Sequence, residues 1–245
     1  MSLNDEDFMR YSRQLLLEDI GEDGQKKLND ARVLIVGIGG LGCPVAMYLA
    51  AAGVGFIGLC DPDLIDRTNL QRQVLYRTED CGVLKVLCAK AQLNALNPTI
   101  TIEPYAIEVN EAMLDNNYNL VIDCTDNLPS RQIINTTCYA KKIPLISAAA
   151  IGWEGQLVAF DFSQHRRLCF NCVINYQSGE PLMNCSNSGV VGPVLGIMGS
   201  CQATTAMRIL LGFFQQHGEL QRYDGKRGQW LTIQATIDTT CSICG

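Results

Sequence analysis

Histidine is scarce: the chain has two, His165 and His217, both in polar, loop-like sequence. Chemistry built on an imidazole, whether a nucleophile triad or a general acid–base relay, is therefore disfavoured. Basic charge is also in deficit. Against 25 Asp and Glu stand 19 Lys and Arg, giving a net charge of −6 and a pI near 4.9. A general nucleic-acid binder would carry a basic face, so any phosphate site here must use a few placed cations and backbone N–H groups. Uninterrupted apolar runs are missing too. The longest such tract, Val190–Phe214, is broken by Pro193, several glycines and Arg208. It reads as a buried, small-residue helix rather than a membrane span. The acidic Met1–Arg10 does not resemble a secretory signal, and there is no internal repeat or Gly/Ser linker.

What is present is a hydrophobic content of 47%, ample for a core, and 12 cysteines. Without a signal peptide, that many thiols points to the cytoplasm and to metal or catalytic use rather than disulfides. Residues 33 to 73 are the most informative. Val33–Val36 is a short apolar run, as in a strand buried on both faces. It leads into Gly37-Ile38-Gly39-Gly40-Leu41-Gly42 and the helical Pro44–Ala52, and a second apolar run, Phe56–Cys60, ends in Asp61. Strand, G-x-G-x-x-G, helix, strand and acid in this order form a nucleotide-binding fingerprint. The glycines approach phosphate and the acid reaches a ribose hydroxyl. Asp61 could also be a plain turn acid before Pro62, but its place in the fingerprint favours nucleotide contact. The polar loop Asn69-Leu70-Gln71-Arg72-Gln73 then brings a guanidinium near the same site, which suits the neutralisation of a triphosphate.

Further along, Asn4–Leu28 reads as mostly helical with a turn at Asp19–Asp23. Leu84–Leu96 is a helix ended by Asn97-Pro98, and Thr99–Pro104 alternates like a strand. Glu111–Leu114 is helical, Leu120–Cys124 a buried strand, Ser130–Lys141 a helix and Leu145–Ala149 a strand. Strands alternating with helices predict an α/β, Rossmann-like, doubly wound, mainly parallel sheet. The texture changes from Gly155: Gln156–Asp161 predicts an antiparallel strand, Tyr176–Ser188 a loop, Val194–Leu211 a long helix and Gln229–Ala235 a strand. A single composite domain over 1–245 is expected, with a C-terminal antiparallel extension. Its parts would be an N-terminal helical segment (1–30), a nucleotide-binding part (31–150) and a carrier-binding and metal part (151–245).

Cys169-Phe170-Asn171-Cys172 and Cys241-Ser242-Ile243-Cys244 are two C-x-x-C pairs. Together they supply four thiolates for a tetrahedral Zn²⁺ and pin the C-terminal tail to mid-chain sequence. The competing reading is a redox dithiol, which would need only one pair. Cys185, in a Ser-, Asn- and Gly-rich stretch, is either a nucleophile or thiol carrier or an incidental loop thiol. Cys43, Cys60, Cys81, Cys88, Cys124, Cys138 and Cys201 mostly read as packing residues. Lys85 either reaches a phosphate or solvates a helix end. Asp126, just past a buried strand, either holds Mg²⁺ or serves as a turn residue or N-cap. Arg13 alone looks like a solvated helix residue.

Taken together, Arg10-Tyr11-Ser12-Arg13-Gln14, Gly37–Gly42, Asn69–Gln73, Asp123-Cys124-Thr125-Asp126-Asn127, both C-x-x-C pairs and Gly192-Pro193 closely resemble the ThiF/MoeB/HesA family. Its members are bacterial relatives of ubiquitin-activating enzymes. The resemblance spans nearly the whole chain. It implies ATP and Mg²⁺ binding, with Gly37, Gly39, Gly40 and Gly42 at the phosphates and Asp61 at the ribose. Asn69, Arg72, Gln73 and Lys85 would surround the polyphosphate, and Asp126 with Asn127 would serve the metal. It also implies a homodimer in which Arg13 serves the partner's site. The implied reaction is adenylation of the C-terminal Gly-Gly carboxylate of a small ubiquitin-fold sulfur carrier. Within the family, the Asn4–Gln14 segment, Gly218-Glu219-Leu220, Asp224-Gly225-Lys226 and Gln229-Trp230 look more like the branch acting on the thiamine-pathway carrier ThiS. In that branch the loop cysteine matching Cys185 can form an acyl-disulfide with the carrier. The alternative is the MoeB type, which acts on the molybdopterin-synthase small subunit. No rhodanese domain follows Cys244, so a separate sulfurtransferase is expected. Two other classes compete: a silent zinc-bound adaptor for such carriers, and a nicotinamide oxidoreductase, which leaves Arg72 and the cysteine pairs unexplained.

Overall fold

The computed structural model describes residues 3–115, 117–163, 168–174 and 189–245. Two helices lead in, α1 (Asp5–Leu15) and α2 (Gly21–Asp30). The side chain of Asn4 accepts from the Asp7 N–H and Asp7 returns the bond, a capping box that fixes the first turn of α1. The turn expected at Asp19–Asp23 lies earlier, at 16–20, because α2 already begins at Gly21.

Eight strands form one sheet: β1 (Arg32–Val36), β2 (Phe56–Cys60), β3 (Thr101–Tyr105), β4 (Leu120–Asp123), β5 (Leu145–Ile151), β6 (Glu154–Phe160), β7 (Glu219–Asp224) and β8 (Gln229–Gln234). Their order is β3-β2-β1-β4-β5-β6-β7-β8. Pairing is parallel from β3 through to β5 and antiparallel from there to β8. This is the expected doubly wound sheet with an antiparallel extension. Sequence reading missed β7, although Leu220 and Tyr223 turn to opposite faces and Asp224-Gly225 marks a hairpin turn. The predicted helix at Glu111–Leu114 is a 3-10 turn, Glu111–Asp115.

The period-two alternation of β1 builds two cores. Val33 and Ile35 face α2, α3 (Gly42–Ala51), α4 (Lys85–Leu96) and the long α7 (Gly192–Leu211). Leu34 and Val36 face α5 (Leu128–Lys141) and the short α6 (Phe170–Val173), among Ile134, Phe160, Phe162 and Phe170. Helix α7 has the length and hydropathy of a membrane span, yet it packs on α3, β5 and β6 with Met198 and Ala206 fully buried. Its N-terminus carries Pro193, and its C-cap, Gly212, takes the left-handed conformation. His217 lies in a turn, as expected, but is half-buried. Its ring meets Phe160 and Phe162 edge-on, and its Nδ1 accepts from the Asp161 N–H. Of the cysteines read as packing residues, Cys81 is exposed and Cys201 half-buried; the rest are buried.

Asn97 ends α4 by turning its amide into the core. Its Nδ2 donates to the Ala50 carbonyl and the Tyr11 hydroxyl, and its Oδ1 accepts from the Thr99 N–H and hydroxyl. This joins α1 and α3 to the entry of β3. Asn97→Ala removes all of these bonds at a fully buried position. Unfolding free energy should fall by about 2–3 kcal/mol, measured as a drop in urea midpoint with unchanged slope.

Candidate active site

The strand order reverses between β1 and β4, and there the chain turns away to opposite faces, opening a crevice at the carboxyl ends of the strands. The backbone ladder runs one residue past each strand. Gly37 N–H donates to the Cys60 carbonyl, and Cys124 N–H donates to that of Val36, each at 2.8 Å. Gly37 has φ +89°, and a Cβ there would stand 2.8 Å from the Cys124 carbonyl oxygen. A Cβ on Gly42 would collide with the Gly37 carbonyl. The loop between them closes only with glycine at both ends.

A cavity of about 730 Å³ occupies this crevice. Gly37, Gly39 and Gly40 form one wall. Asp61, Asn69, Arg72, Gln73 and Lys85 line another, and Asp126, Asn127 and Arg131 a third. Of the cavity residues predicted from sequence, all except Gly42, which is buried just behind the loop, line the space itself. Asp61 accepts from the Ile38 N–H at 2.8 Å and from the Asp63 N–H at 2.9 Å, so it braces the glycine loop. Lys85 does not solvate a helix end. It is 5% exposed, and its Nζ lies 2.6 Å from Asp63 Oδ2 and 3.8 Å from Asp61 Oδ1. Asn69 Oδ1 accepts from both Arg72 and Gln73, while the buried Gln73 Oε1 has no hydrogen-bond partner among the described residues. Asp126 is exposed and is not the cap of α5; the side chain of Asn127 takes that role by accepting from Ser130 N–H.

Arg13 is exposed in the last turn of α1 and lies outside the cavity. Cys185 and the predicted 176–188 loop lie outside the described residues, as does His165. Sequence reading also missed several groups: Asp63, the partner of Lys85; Arg131, which lines the cavity, and the buried Ser147, both beside Asp123; and Glu154 with Arg222 at the rim, paired at 3.0 Å. Arg131 was detectable as an arginine in the first turn of a helix that follows a buried strand end. Nothing in its local pattern marked it as buried.

The four cysteines of the two C-x-x-C pairs converge, with every Sγ within 4.8 Å of the others. Cys169 and Cys241 are 3.7 Å apart, and Cys172 and Cys244 3.3 Å. A tetrahedron of thiolates around zinc has S···S distances of about 3.8 Å, so the donor set fits a closed, thiophilic metal centre. The Cys241 thiol is pulled down to about 7. Desolvation opposes this, but N–H groups of Cys244 and Ile243 and the neighbouring thiols outweigh it.

A doubly wound sheet with a glycine loop, an arginine and a buried lysine at its switch point defines a nucleotide-binding protein. The ThiF family model matches residues 11–243, and the chain belongs to that family. It is 45% identical over 246 residues to the sulfur carrier protein ThiS adenylyltransferase of Escherichia coli K12, covering 99% of this chain and 97% of that protein. It is 39% identical over 247 residues to the molybdopterin-synthase adenylyltransferase of the same organism, covering 99% and 98%. Among solved structures, Escherichia coli MccB with ATP superposes with a TM-score of 0.82 at 21% identity, over 99% of this chain and 82% of that one; this likeness supports the fold. The chain is an adenylyltransferase.

Burial raises the Asp61 carboxyl above the usual carboxylate range, against the pull of Lys85 and the two backbone N–H donors. A carboxyl whose folded pKa exceeds its unfolded one contributes stability below the unfolded value, and this is lost as pH rises through the folded value. Lys85→Met pushes Asp61 higher still. Relative to the parent, its loss of unfolding free energy should grow as pH rises through the raised folded value of Asp61, reaching about 3 kcal/mol near neutrality. Urea denaturation across a pH series measures it.

Proposed function

We propose that the chain uses ATP to adenylate the C-terminal Gly-Gly carboxylate of a small ubiquitin-fold sulfur carrier of the ThiS type, preparing a thiocarboxylate for thiamine thiazole synthesis. The observation that carries this reading is the convergence of Asp61, Asn69, Arg72, Gln73, Lys85 and Asp126 on one cavity at the switch point. In this reading, Gly37–Gly42 present backbone N–H groups to the phosphates, and Asp61 holds the ribose while bracing the loop. Arg72 and Lys85 neutralise the polyphosphate, Lys85 leaving Asp63 to do so, and Asn69 and Gln73 orient Arg72 and the nucleotide. Asp126, exposed in the cavity and free of capping duty, has the hard carboxylate donor that Mg²⁺ takes, with Asn127 beside it. When bound, Mg²⁺ supplies charge neutralisation of the phosphates. Attack by a carboxylate on the α-phosphorus with loss of pyrophosphate needs in-line positioning and charge stabilisation more than covalent help. A lack of catalytic histidine is therefore no obstacle.

Residues 1–245 form one unit in this proposal, with 1–30 a helical lead, 31–150 holding the nucleotide and 151–245 holding carrier and metal. The carrier-binding role is supported by β8, whose residues are all exposed, among them Leu231 and Ile233. By register these share a sheet face with Arg222 and Gln156 at the cavity. That face leads from an open edge to the reaction centre, as an extended carrier tail requires. The homodimer is supported by apolar residues left exposed on the α1 side: Met9 (79%), Leu16 (74%) and Leu17 (55%). They flank Arg13, which would complete the site of a second copy. The cysteine cluster holds Zn²⁺ as a structural centre, and the remaining thiols suit a reducing cytoplasm. Cys185 would link covalently to the activated carrier, and a separate sulfurtransferase would supply sulfur. The 39% identity to the molybdopterin-synthase adenylyltransferase supports the second reading, a MoaD-type carrier.

ATP–pyrophosphate exchange by the purified protein, with ThiS-type and MoaD-type carriers in parallel, decides between them. Exchange with the ThiS-type carrier alone is expected. Exchange with the MoaD type alone would move the protein to the second reading, and none with either, in folded zinc-loaded protein, would sink adenylation of these carriers. Arg72→Ala should lower the exchange rate by roughly 100-fold or more without changing the melting temperature.

Cys172→Ser opens the four-thiolate set. Zinc content, measured by displacement into a chromogenic chelator, should fall from about one ion per chain toward zero. Proteolysis of the 235–245 tail should accelerate.

A further inference from the structure

At the wall of the cavity lies a buried polar cluster that the proposed chemistry does not use. Arg131, on the first turn of α5, is 6% exposed. Its guanidinium donates to the carbonyls of Thr125 and Ala148 and to the Ser147 hydroxyl. Asp123 Oδ2 lies 3.8 Å away and accepts from Ser147, while Asp123 Oδ1 accepts from the Thr125 N–H and hydroxyl. One side chain therefore fastens the end of β4 to β5, and the residue it holds by its carbonyl is the one before Asp126.

The same helix reaches the cysteine centre. Asn135, one turn further along α5 and fully buried, accepts from the Phe170 N–H at 3.1 Å and donates to Asn171 Oδ1 at 3.4 Å. Phe170 lies between Cys169 and Cys172, is 2% exposed, and has the Arg131 guanidinium 5.8 Å from its ring centroid. The aromatic ring and the amide hold α5, and α5 holds the strand end.

We propose that Arg131 is a positioning residue: it fixes the backbone at Thr125 and so the reach of Asp126 into the nucleotide cavity, with Phe170 and Asn135 tying that placement to the four-cysteine knuckle. The physical ground is the cost of the alternative. The charge of a guanidinium buried this completely is costly unless its carbonyl and carboxylate partners stay in place. The arrangement around Thr125 therefore behaves as one unit rather than as separate contacts. The inference rests on the reading of Asp126 as the carboxylate that serves Mg²⁺ with ATP.

Calorimetric titration of ATP into the full chain, with and without Mg²⁺, tests both and separates them. Asp126→Asn tests the underlying reading: it should shrink the gain in ATP affinity that Mg²⁺ brings. If that gain survives intact, the role of Asp126 has failed and the proposal falls with it. Arg131→Lys keeps the charge but cannot span two carbonyls and Ser147. It should remove roughly tenfold of the Mg²⁺-dependent gain, leave Mg²⁺-free affinity within about twofold, and add nothing when combined with Asp126→Asn. A wild-type gain in Arg131→Lys, or effects of the two substitutions that multiply, overturns the proposal while leaving the Asp126 reading standing. Should Arg131→Lys fail to fold, Asn135→Ala provides the same test with every cavity residue retained. It should lose about threefold of the gain with melting temperature and zinc content near wild type, and an unchanged gain overturns the link to the knuckle.

Discussion

Parallel pairing of β1 with β4 is the constraint on which the rest of the structure depends. Val36 lies opposite Asp123 in that ladder, so the two chain segments leave the sheet side by side. Gly37 then has the Cys124 carbonyl against its Cα. Two of the three cavity walls trace back to this adjacency: the glycine loop leaves from one strand, Asp126 and α5 from the other, while the wall from Asp61 to Lys85 follows β2. A side chain at Gly37 would push the strand ends apart and displace the glycine loop and Asp126 together. Parallel strands buried on both faces also have no solvent side on which to absorb such a shift.

Charge in this cavity is held in compensated clusters rather than as isolated ions. Lys85 is shared between Asp61 and Asp63, and Arg131 between carbonyls and Asp123. Isolated, any of these groups would be costly to bury. Paired and hydrogen-bonded, they keep fixed positions, as electrostatic preorganisation requires. Asp126 and Arg72 differ: the first is exposed and the second half-buried, its guanidinium donating to the Thr68 carbonyl and Asn69. The compensated groups form a frame, and the less restrained ones face the space that a nucleotide would fill.

Much of this was legible in the sequence where local pattern and final contact coincide. The strand–glycine–helix–strand–acid order gave β1, α3, β2 and Asp61 to within a residue or two, because each of those elements is specified by its own neighbours. The cysteine pairs were equally plain, since their spacing is the ligand geometry. Other features depend on tertiary contact. Strand β7 has a weak alternating pattern and is a strand because β6 and β8 flank it. The burial of Arg131 and Lys85 follows from which elements pack above them. His217 reads as polar until Phe160 and Phe162 close around it. Asp126 was ambiguous between cap and ligand, and the structure resolves one half of that by giving the cap to Asn127.

The antiparallel extension explains why a cysteine centre belongs on this fold. Beyond β6, which α7 still covers, β8 contributes an edge strand whose residues are all exposed. An open edge is a liability in a monomer, because its unpaired backbone groups invite pairing, and such a strand receives little stability from packing. The segments beside it, α6 and the tail after Gln234, are short and have few buried side chains. Four thiols from Cys169–Cys172 and Cys241–Cys244, about 70 residues apart in sequence, meet here, and a metal bound by them would close a long loop, the kind of cross-link that removes the most freedom from the unfolded chain. With such a metal the fold could keep an exposed edge beside its cavity, the neighbouring segments being held by sulfur rather than by burial. A larger hydrophobic core in this region would have covered the face that leads into the cavity.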